Sequence, residues 1–129
     1  MNKLTTAAVN LLKDLIAIPS FSKQEDKTAD RIGQWFDQYQ IPFQRVENNV
    51  WAVNKAFDLK KPTLLLNSHH DTVKPNAAYT HDPFEAKIEN GKLYGLGSND
   101  AGGALVSLIA LFTHYYALEN PKYNLVMAA

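Results

Sequence analysis

The sequence contains no cysteine, which excludes disulfide bonds and thiolate metal ligands. It also lacks an excess of either charge, because 13 basic residues balance 13 acidic ones. The positive footprint typical of proteins that bind nucleic acid or anionic membranes is therefore missing. No apolar run approaches the roughly 20 residues of a membrane-spanning helix, and no signal-peptide core follows the N-terminus. We expect one cytoplasmic domain with no membrane or nucleic-acid partner.

Hydrophobic periodicity predicts three helices. Apolar residues recur at helical spacing in residues 6–16. Ser22 and Glu25 fit a capping box, in which both side chains bond free backbone donors, at the start of a second helix that ends near Tyr39. Residues 104–118 are mostly apolar and predict a third, well-buried helix.

Short apolar or alternating segments predict strands at residues 43–47, 50–54, 64–66, 84–89, 92–94 and 123–129. Asn48-Asn49 and Asn90-Gly91 suit tight hairpin turns between neighbouring strands. The wholly apolar segment 64–66 is typical of a buried central strand. Because strands lie on both sides of the third helix, one parallel crossover is expected, and the order of elements predicts an α/β domain with a mixed sheet.

Ionisable side chains follow the apolar strand 64–66 directly. His69 and Asp71 are two residues apart, so in extended backbone both side chains leave on the same face. A metal-binding histidine usually donates its other ring N–H to a carboxylate, and this pair can supply both parts. His70 points the other way and is the weaker candidate. The alternative at this stage is a polar loop with a satisfied histidine.

A glycine-rich loop at residues 95–103 precedes the third helix. It lacks the lysine of a Walker phosphate loop, and Asp100 occupies the position where the dinucleotide fingerprint needs glycine. A phosphate site is therefore not expected. Asp100 has two remaining interpretations: an N-cap of the third helix, or a metal ligand whose two oxygens can bridge two metal ions.

Three motifs follow one another in an order that is specific in combination, although each is weak alone. They are His69-His70-Asp71-Thr72-Val73, then Asp82-Pro83-Phe84, then the segment 91–100 that ends in Gly97-Ser98-Asn99-Asp100. Together they resemble the M20 family of metallohydrolases, which includes acetylornithine deacetylase, succinyl-diaminopimelate desuccinylase and related dipeptidases and aminopeptidases. Residues 18–22 also look like the family's early turn, so the resemblance covers nearly the whole chain.

The resemblance implies a role for each site residue. His69 would bind one metal ion, Asp71 would act in catalysis by orienting His69, and Asp100 would bridge two zinc ions, with cobalt as a possible substitute. It also implies a three-layer α/β/α fold with a mixed, mainly parallel sheet, like that of zinc exopeptidases. Leu96 and Gly102 depart from the family pattern, which often has arginine and lysine there. These departures leave the substrate-side electrostatics and the subfamily open.

The function implied by the resemblance is zinc-dependent hydrolysis of the amide bond of an N-acylated amino acid. The first expectation is deacetylation of N-acetylornithine in arginine biosynthesis. The alternatives within the family are a dipeptidase or aminopeptidase acting on short peptides and a succinyl-diaminopimelate desuccinylase. The full-length protein is expected to be a homodimer.

Family members continue with adjacent glutamates, later metal ligands and a smaller dimerisation domain, none of which is present in this sequence. Residues 1–129 are therefore expected to be the N-terminal portion of a catalytic domain that is inactive by itself. An alternative of another class is a non-catalytic domain that binds a metal or a partner.

Overall fold

The computed structural model describes residues 3–129. Residues 1 and 2 of the predicted domain 1–129 lie outside the described residues. In chain order the elements are α1 (Lys3–Ala17), α2 (Asp26–Gln38), β1 (Gln44–Val46), β2 (Asn49–Val53), β3 (Thr63–Asn67), β4 (Lys87–Glu89), β5 (Lys92–Tyr94), α3 (Gly103–Tyr115) and β6 (Asn124–Ala128). The predicted helices and strands are confirmed in order and type. Within residues 3–129 no helix is long and apolar enough to cross a membrane.

The main sheet has the strand order β1-β2-β6-β3 and is mixed, as predicted. β3 pairs with β6 in parallel, whereas β1 with β2 and β2 with β6 are antiparallel. The expectation of a mainly parallel sheet is therefore wrong for these four strands. Two parallel neighbours need a long crossover connection, usually a helix. Here the connection from β3 to β6 contains α3, which confirms the predicted parallel crossover.

The core lies between one face of this sheet and the helices. On that face Val50, Ala52, Leu66 and Met127 are buried with the inner sides of α1, α2 and α3. On the opposite face Leu65 and Val53 are 56% and 41% exposed. In the part of the chain that the structure describes, the arrangement thus has two layers, where three were expected, because no described helix covers the second face.

The strand that was expected to be central is at the edge of the sheet. β3 pairs only with β6 among the described strands. Leu64 and Leu65 are accordingly 52% and 56% exposed, while Leu66 is 7% exposed. A run of three leucines predicts burial on both faces, but it does not identify which elements would cover them.

Two hairpins test the turn predictions. Asn90 and Gly91 have φ values of 51° and 76° between β4 and β5, which confirms the predicted tight turn. In the first hairpin Val46 pairs with Asn49, so the turn is Glu47-Asn48, one residue earlier than predicted. Glu47 adopts the positive φ of 54° in this turn.

Candidate metal centre

The segment after β3 places His69 and Asp71 side by side. Nδ1 of His69 lies 2.9 Å from Oδ1 of Asp71. The prediction that both side chains lie on one side of the strand end is confirmed. A carboxylate can only accept, so Nδ1 donates its proton to Asp71. When the ring is neutral, the lone pair of Nε2 faces the other side; when the ring is protonated, Nε2 donates there instead.

Asp100 lies on that other side. Its Oδ1 is 3.1 Å from Nε2 of His69, although the two residues are 31 positions apart in the sequence. The Asp100 side chain is 89% exposed. It makes no capping hydrogen bond to α3, which begins at Gly103 after a distorted turn over Ser98–Gly102. Of the two interpretations of Asp100, the structure thus removes the helix cap.

The two carboxylates affect the charge of the ring between them. Burial lowers the pKa of His69, but the hydrogen bonds with Asp100 and Asp71 outweigh it, so this pKa lies above its ordinary value. The hydrogen bond from the Ser22 hydroxyl, with a smaller contribution from His69, lowers the pKa of Asp71. Asp71 therefore stays ionised, and the site attracts a cation or a proton to Nε2.

The geometry fits a pair of ligands for a divalent metal. Zinc binds histidine nitrogen and carboxylate oxygen at about 2.0–2.2 Å in tetrahedral geometry, which separates two ligand atoms by about 3.3 Å. The observed distance of 3.1 Å between Nε2 of His69 and Oδ1 of Asp100 is close to this value. Residues 3–129 contain no group of three or more histidine or acidic side chains that could hold a metal ion. The described chain supplies two ligands, which is fewer than a zinc site needs.

His70 faces away from this site, as expected. Its Nε2 lies 3.0 Å from the backbone oxygen of Asn48, and its Nδ1 lies 2.8 Å from Oγ1 of Thr28. A carbonyl oxygen only accepts, so Nε2 carries the proton. The Thr28 hydroxyl lies between Nδ1 of His70 and the oxygen of Glu25, to which it is 3.0 Å away. Burial lowers the pKa of His70, which favours this neutral form. The ring thereby joins the motif segment, residues 69–73, to α2 and to the first hairpin.

The two other histidines do not contribute. His81 contacts the ring of Tyr94, with 5.7 Å between ring centroids. His114 lies in the last turn of α3 and contacts Tyr115 at 4.6 Å.

The glycine-rich loop packs closely against the segment that carries His69. A Cβ atom at Gly97, where φ is 74°, would lie 2.6 Å from Cγ2 of Thr72. A Cβ at Gly102 would lie 2.8 Å from the backbone oxygen of Gly97. Leu96, the residue before Gly97, is only 6% exposed. These contacts explain why the chain has no longer side chain at position 102.

Sequence reasoning missed one contact to the site. The capping-box prediction for Ser22 is wrong, because its hydroxyl donates instead to Oδ2 of Asp71 at 2.5 Å. α2 begins only at Asp26, and Glu25 accepts from the backbone N–H of Lys23. No local pattern reveals a contact between residues 49 positions apart.

Curated proteins similar to this chain include succinyl-diaminopimelate desuccinylases. The protein from Blochmanniella floridana is 28% identical over 123 residues, which cover 90% of this chain and 32% of that protein. The protein from Rhodospirillum centenum is 30% identical over 125 residues, covering 88% of this chain and 31% of that protein. The chain thus spans about a third of the length of these relatives.

Solved structures with the same fold include metallopeptidases. Human carnosine dipeptidase 1 matches with a TM-score of 0.74 and 18% identity, covering 95% of this chain and 31% of that one. The M20 family metallo-carboxypeptidase Sso-CP2 from Sulfolobus solfataricus matches with a TM-score of 0.75 and 23% identity, covering 99% of this chain and 30% of that one. YXEP from Bacillus subtilis, a dinuclear metal-binding peptidase of the M20 family, matches with a TM-score of 0.69 and 22% identity. The match covers 97% of this chain and 35% of that one. These likenesses confirm the α/β fold.

The sequence profile that matches this chain begins inside β3. It extends over residues 65–129, about half of the chain, and includes His69, Asp71 and Asp100. With this match, the chain belongs to Peptidase family M20/M25/M40.

Proposed function

We propose that this chain supplies part of the metal centre of an enzyme that hydrolyses the amide bond of an N-acylated amino acid. One observation carries the proposal. Nε2 of His69 and Oδ1 of Asp100 converge to 3.1 Å at an exposed place, while Asp71 holds the opposite ring nitrogen. Histidine nitrogen and carboxylate oxygen are ordinary zinc ligands, and the pair sits at the carboxyl end of β3, where α/β sheets place their chemistry.

Each residue then has one task. His69 would donate its Nε2 lone pair to a zinc ion, and Asp71 would hold the proton on Nδ1 so that this lone pair stays available. Asp100 has a second carboxylate oxygen for which the described residues provide no partner, so it suits a bridge between two ions. Two zinc ions, or cobalt in their place, would supply Lewis acidity that polarises the scissile carbonyl and lowers the pKa of water.

The remaining ligands and the general base would come from residues outside this chain. The two described ligands are too few for a closed or a catalytic zinc site. We therefore interpret residues 1–129 as the N-terminal portion of a catalytic domain. The full-length protein would also contain the dimerisation domain and act as a cytoplasmic homodimer.

The similar proteins favour a broad class of substrate and, within that class, one particular substrate. An N-acylated amino acid or short peptide is consistent with the family and with the peptidases of the same fold. Within that class the relatives are named as desuccinylases, which favours N-succinyl-diaminopimelate over N-acetylornithine. They give no support to a role in arginine biosynthesis. N-acetylornithine and dipeptides remain the alternatives to test.

The test uses the full-length protein loaded with zinc or cobalt. Its hydrolysis of N-succinyl-diaminopimelate, N-acetylornithine and a dipeptide would be compared with that of a His69→Ala variant and a His114→Ala control. We expect one substrate to be turned over, with loss of turnover in His69→Ala but not in His114→Ala. Equal activity of His69→Ala and wild type would contradict the proposed metal centre.

A second candidate is a non-catalytic domain that binds a metal or a partner. The observation that favours it is the presence of only two converging ligands in residues 3–129. Zinc binding by the full-length protein without hydrolysis of any of the three substrates would support this candidate over the enzyme.

A further inference from the structure

The segment just before α2 lies beside the segment that carries the candidate metal ligand. Phe21 forms a parallel bridge with Thr72. The backbone N–H of Thr72 donates to the oxygen of Ser20 at 2.7 Å, and the Ser20 hydroxyl donates to the oxygen of His70 at 2.9 Å. Ser20 is only 2% exposed. These contacts of Ser20 and Phe21 fix the position of Ser22 relative to residues 69–73.

Ser22 is placed by this arrangement against Asp71. Its Oγ lies 2.5 Å from Oδ2 of Asp71, while Oδ1 of the same carboxylate accepts from Nδ1 of His69 at 2.9 Å. A carboxylate cannot donate, so the serine hydroxyl must be the donor. Both oxygens of Asp71 are then engaged, one by Ser22 and one by His69, and the carboxylate cannot rotate without losing a bond.

We propose that Ser22 is a positioning residue for the metal centre: its hydroxyl holds the Asp71 carboxylate in the orientation that directs Nε2 of His69 to the metal. This inference rests on the proposed function. Ser22 would not touch the metal, the substrate or the reacting atoms. It acts through Asp71, in the way that outer hydrogen bonds orient metal ligands in other proteins.

A matched pair of substitutions isolates the hydroxyl group. Threonine and valine have nearly the same shape, but only threonine can donate to Asp71. Ser22→Thr and Ser22→Val therefore place the same bulk at an exposed position, and the difference between them reports the hydrogen bond. Ser107→Ala serves as a control, since its hydroxyl donates to the oxygen of Gly103 within α3.

The experiment measures the zinc dissociation constant of the full-length protein by competition with a chromogenic chelator. Hydrolysis is measured separately at saturating zinc. We expect Ser22→Val to weaken zinc binding by about tenfold, the lower end of the range for outer partners of metal ligands. Ser22→Thr and Ser107→Ala should stay within about twofold of wild type. A second readout is the Nδ1 proton of His69 in nitrogen-edited spectra of the metal-free protein, which should exchange faster in Ser22→Val than in Ser22→Thr.

His69→Ala distinguishes a failure of the proposed metal centre from a failure of the proposed role of Ser22. If His69→Ala weakens zinc binding but Ser22→Val and Ser22→Thr bind zinc equally and show equal exchange, the metal centre stands and the role of Ser22 is overturned. If His69→Ala binds zinc as wild type does, the metal centre itself fails and the role of Ser22 fails with it. If Ser22→Val and Ser22→Thr weaken zinc binding to the same extent, bulk and not the hydroxyl is responsible, which also overturns the inference.

Discussion

Nδ1 of His70 lies 2.8 Å from the Thr28 hydroxyl, on the opposite side of the chain from its neighbour His69. Thr28 is fully buried, whereas the His69 side chain is 50% exposed. Adjacent histidines thus have different tasks. His70 attaches the motif segment to the start of α2, and His69 is left free of such packing to face Asp100.

This difference predicts that two neighbouring substitutions affect stability to different extents. His70→Ala leaves the Asn48 carbonyl without its partner and removes the half-buried ring that contacts Thr28, so the free energy of unfolding should fall by about 1–3 kcal/mol. His69→Ala removes an exposed side chain and should change it by no more than about 0.5 kcal/mol. The measurement is urea unfolding of the full-length protein after metal removal with EDTA. The opposite order of stabilities would show that the contacts of His70 do not hold this segment.

A second prediction concerns the close contact of the glycine-rich loop. Gly102 has helical backbone, with φ of −55° and ψ of −44°, so backbone conformation alone would favour alanine there. Its Cβ would nevertheless lie 2.6 Å from Cδ1 of Leu12 and 2.8 Å from the oxygen of Gly97. Gly102→Ala should therefore destabilise the protein by about 1–3 kcal/mol, the usual cost of overpacking.

Gly103→Ala is the matched control for this prediction. Gly103 also has helical backbone, but its Cβ would meet a single atom, the oxygen of Ser98, at 3.0 Å. Thermal unfolding should show a smaller loss of stability for Gly103→Ala than for Gly102→Ala. A Gly102→Ala protein that melts at the wild-type temperature would show that the loop moves to admit a side chain.

Local physics explains which parts of the site the sequence predicts. The spacing of His69 and Asp71 decides their common side, because side chains alternate along extended backbone, and the structure confirms it. The contact of Ser22 with Asp71 depends on a bridge between segments about 50 residues apart, and no periodicity encodes it. The same limit applies to β3. Its leucines predict burial, but they do not identify the strands or helices that would lie beside it.

A third prediction concerns the orienting carboxylate. Asp71→Ala leaves the proton of His69 free to move between the two ring nitrogens, and protonation of Nε2 would block the metal. We expect zinc affinity to fall by about 10–100-fold, as for other outer partners of metal ligands. Asp37→Ala is the control, because Asp37 is an exposed aspartate in α2. Competition titration of the full-length protein with a chelator gives both affinities, and equal values for the two variants would remove the orienting role from Asp71.

The last prediction separates the two interpretations of Asp100. A capping aspartate contributes about 0.5–2 kcal/mol to stability, and its loss would leave a metal site intact. In the structure the Asp100 side chain is 89% exposed and makes no capping bond, so Asp100→Ala should change the free energy of unfolding by no more than about 0.5 kcal/mol. The same substitution removes a direct ligand, so activity should fall beyond the about 10–100-fold typical of outer partners.

The metal content of the purified full-length variant is the decisive measurement, since loss of a bridging ligand should reduce two bound ions to one or none. Asn99→Ala is the matched control, because Asn99 is an exposed neighbour in the same loop. It should retain both ions and full activity. If Asp100→Ala keeps two ions and turns over substrate at the wild-type rate, Asp100 does not bridge. Its 3.1 Å contact with His69 would then be only an ion pair of the metal-free chain.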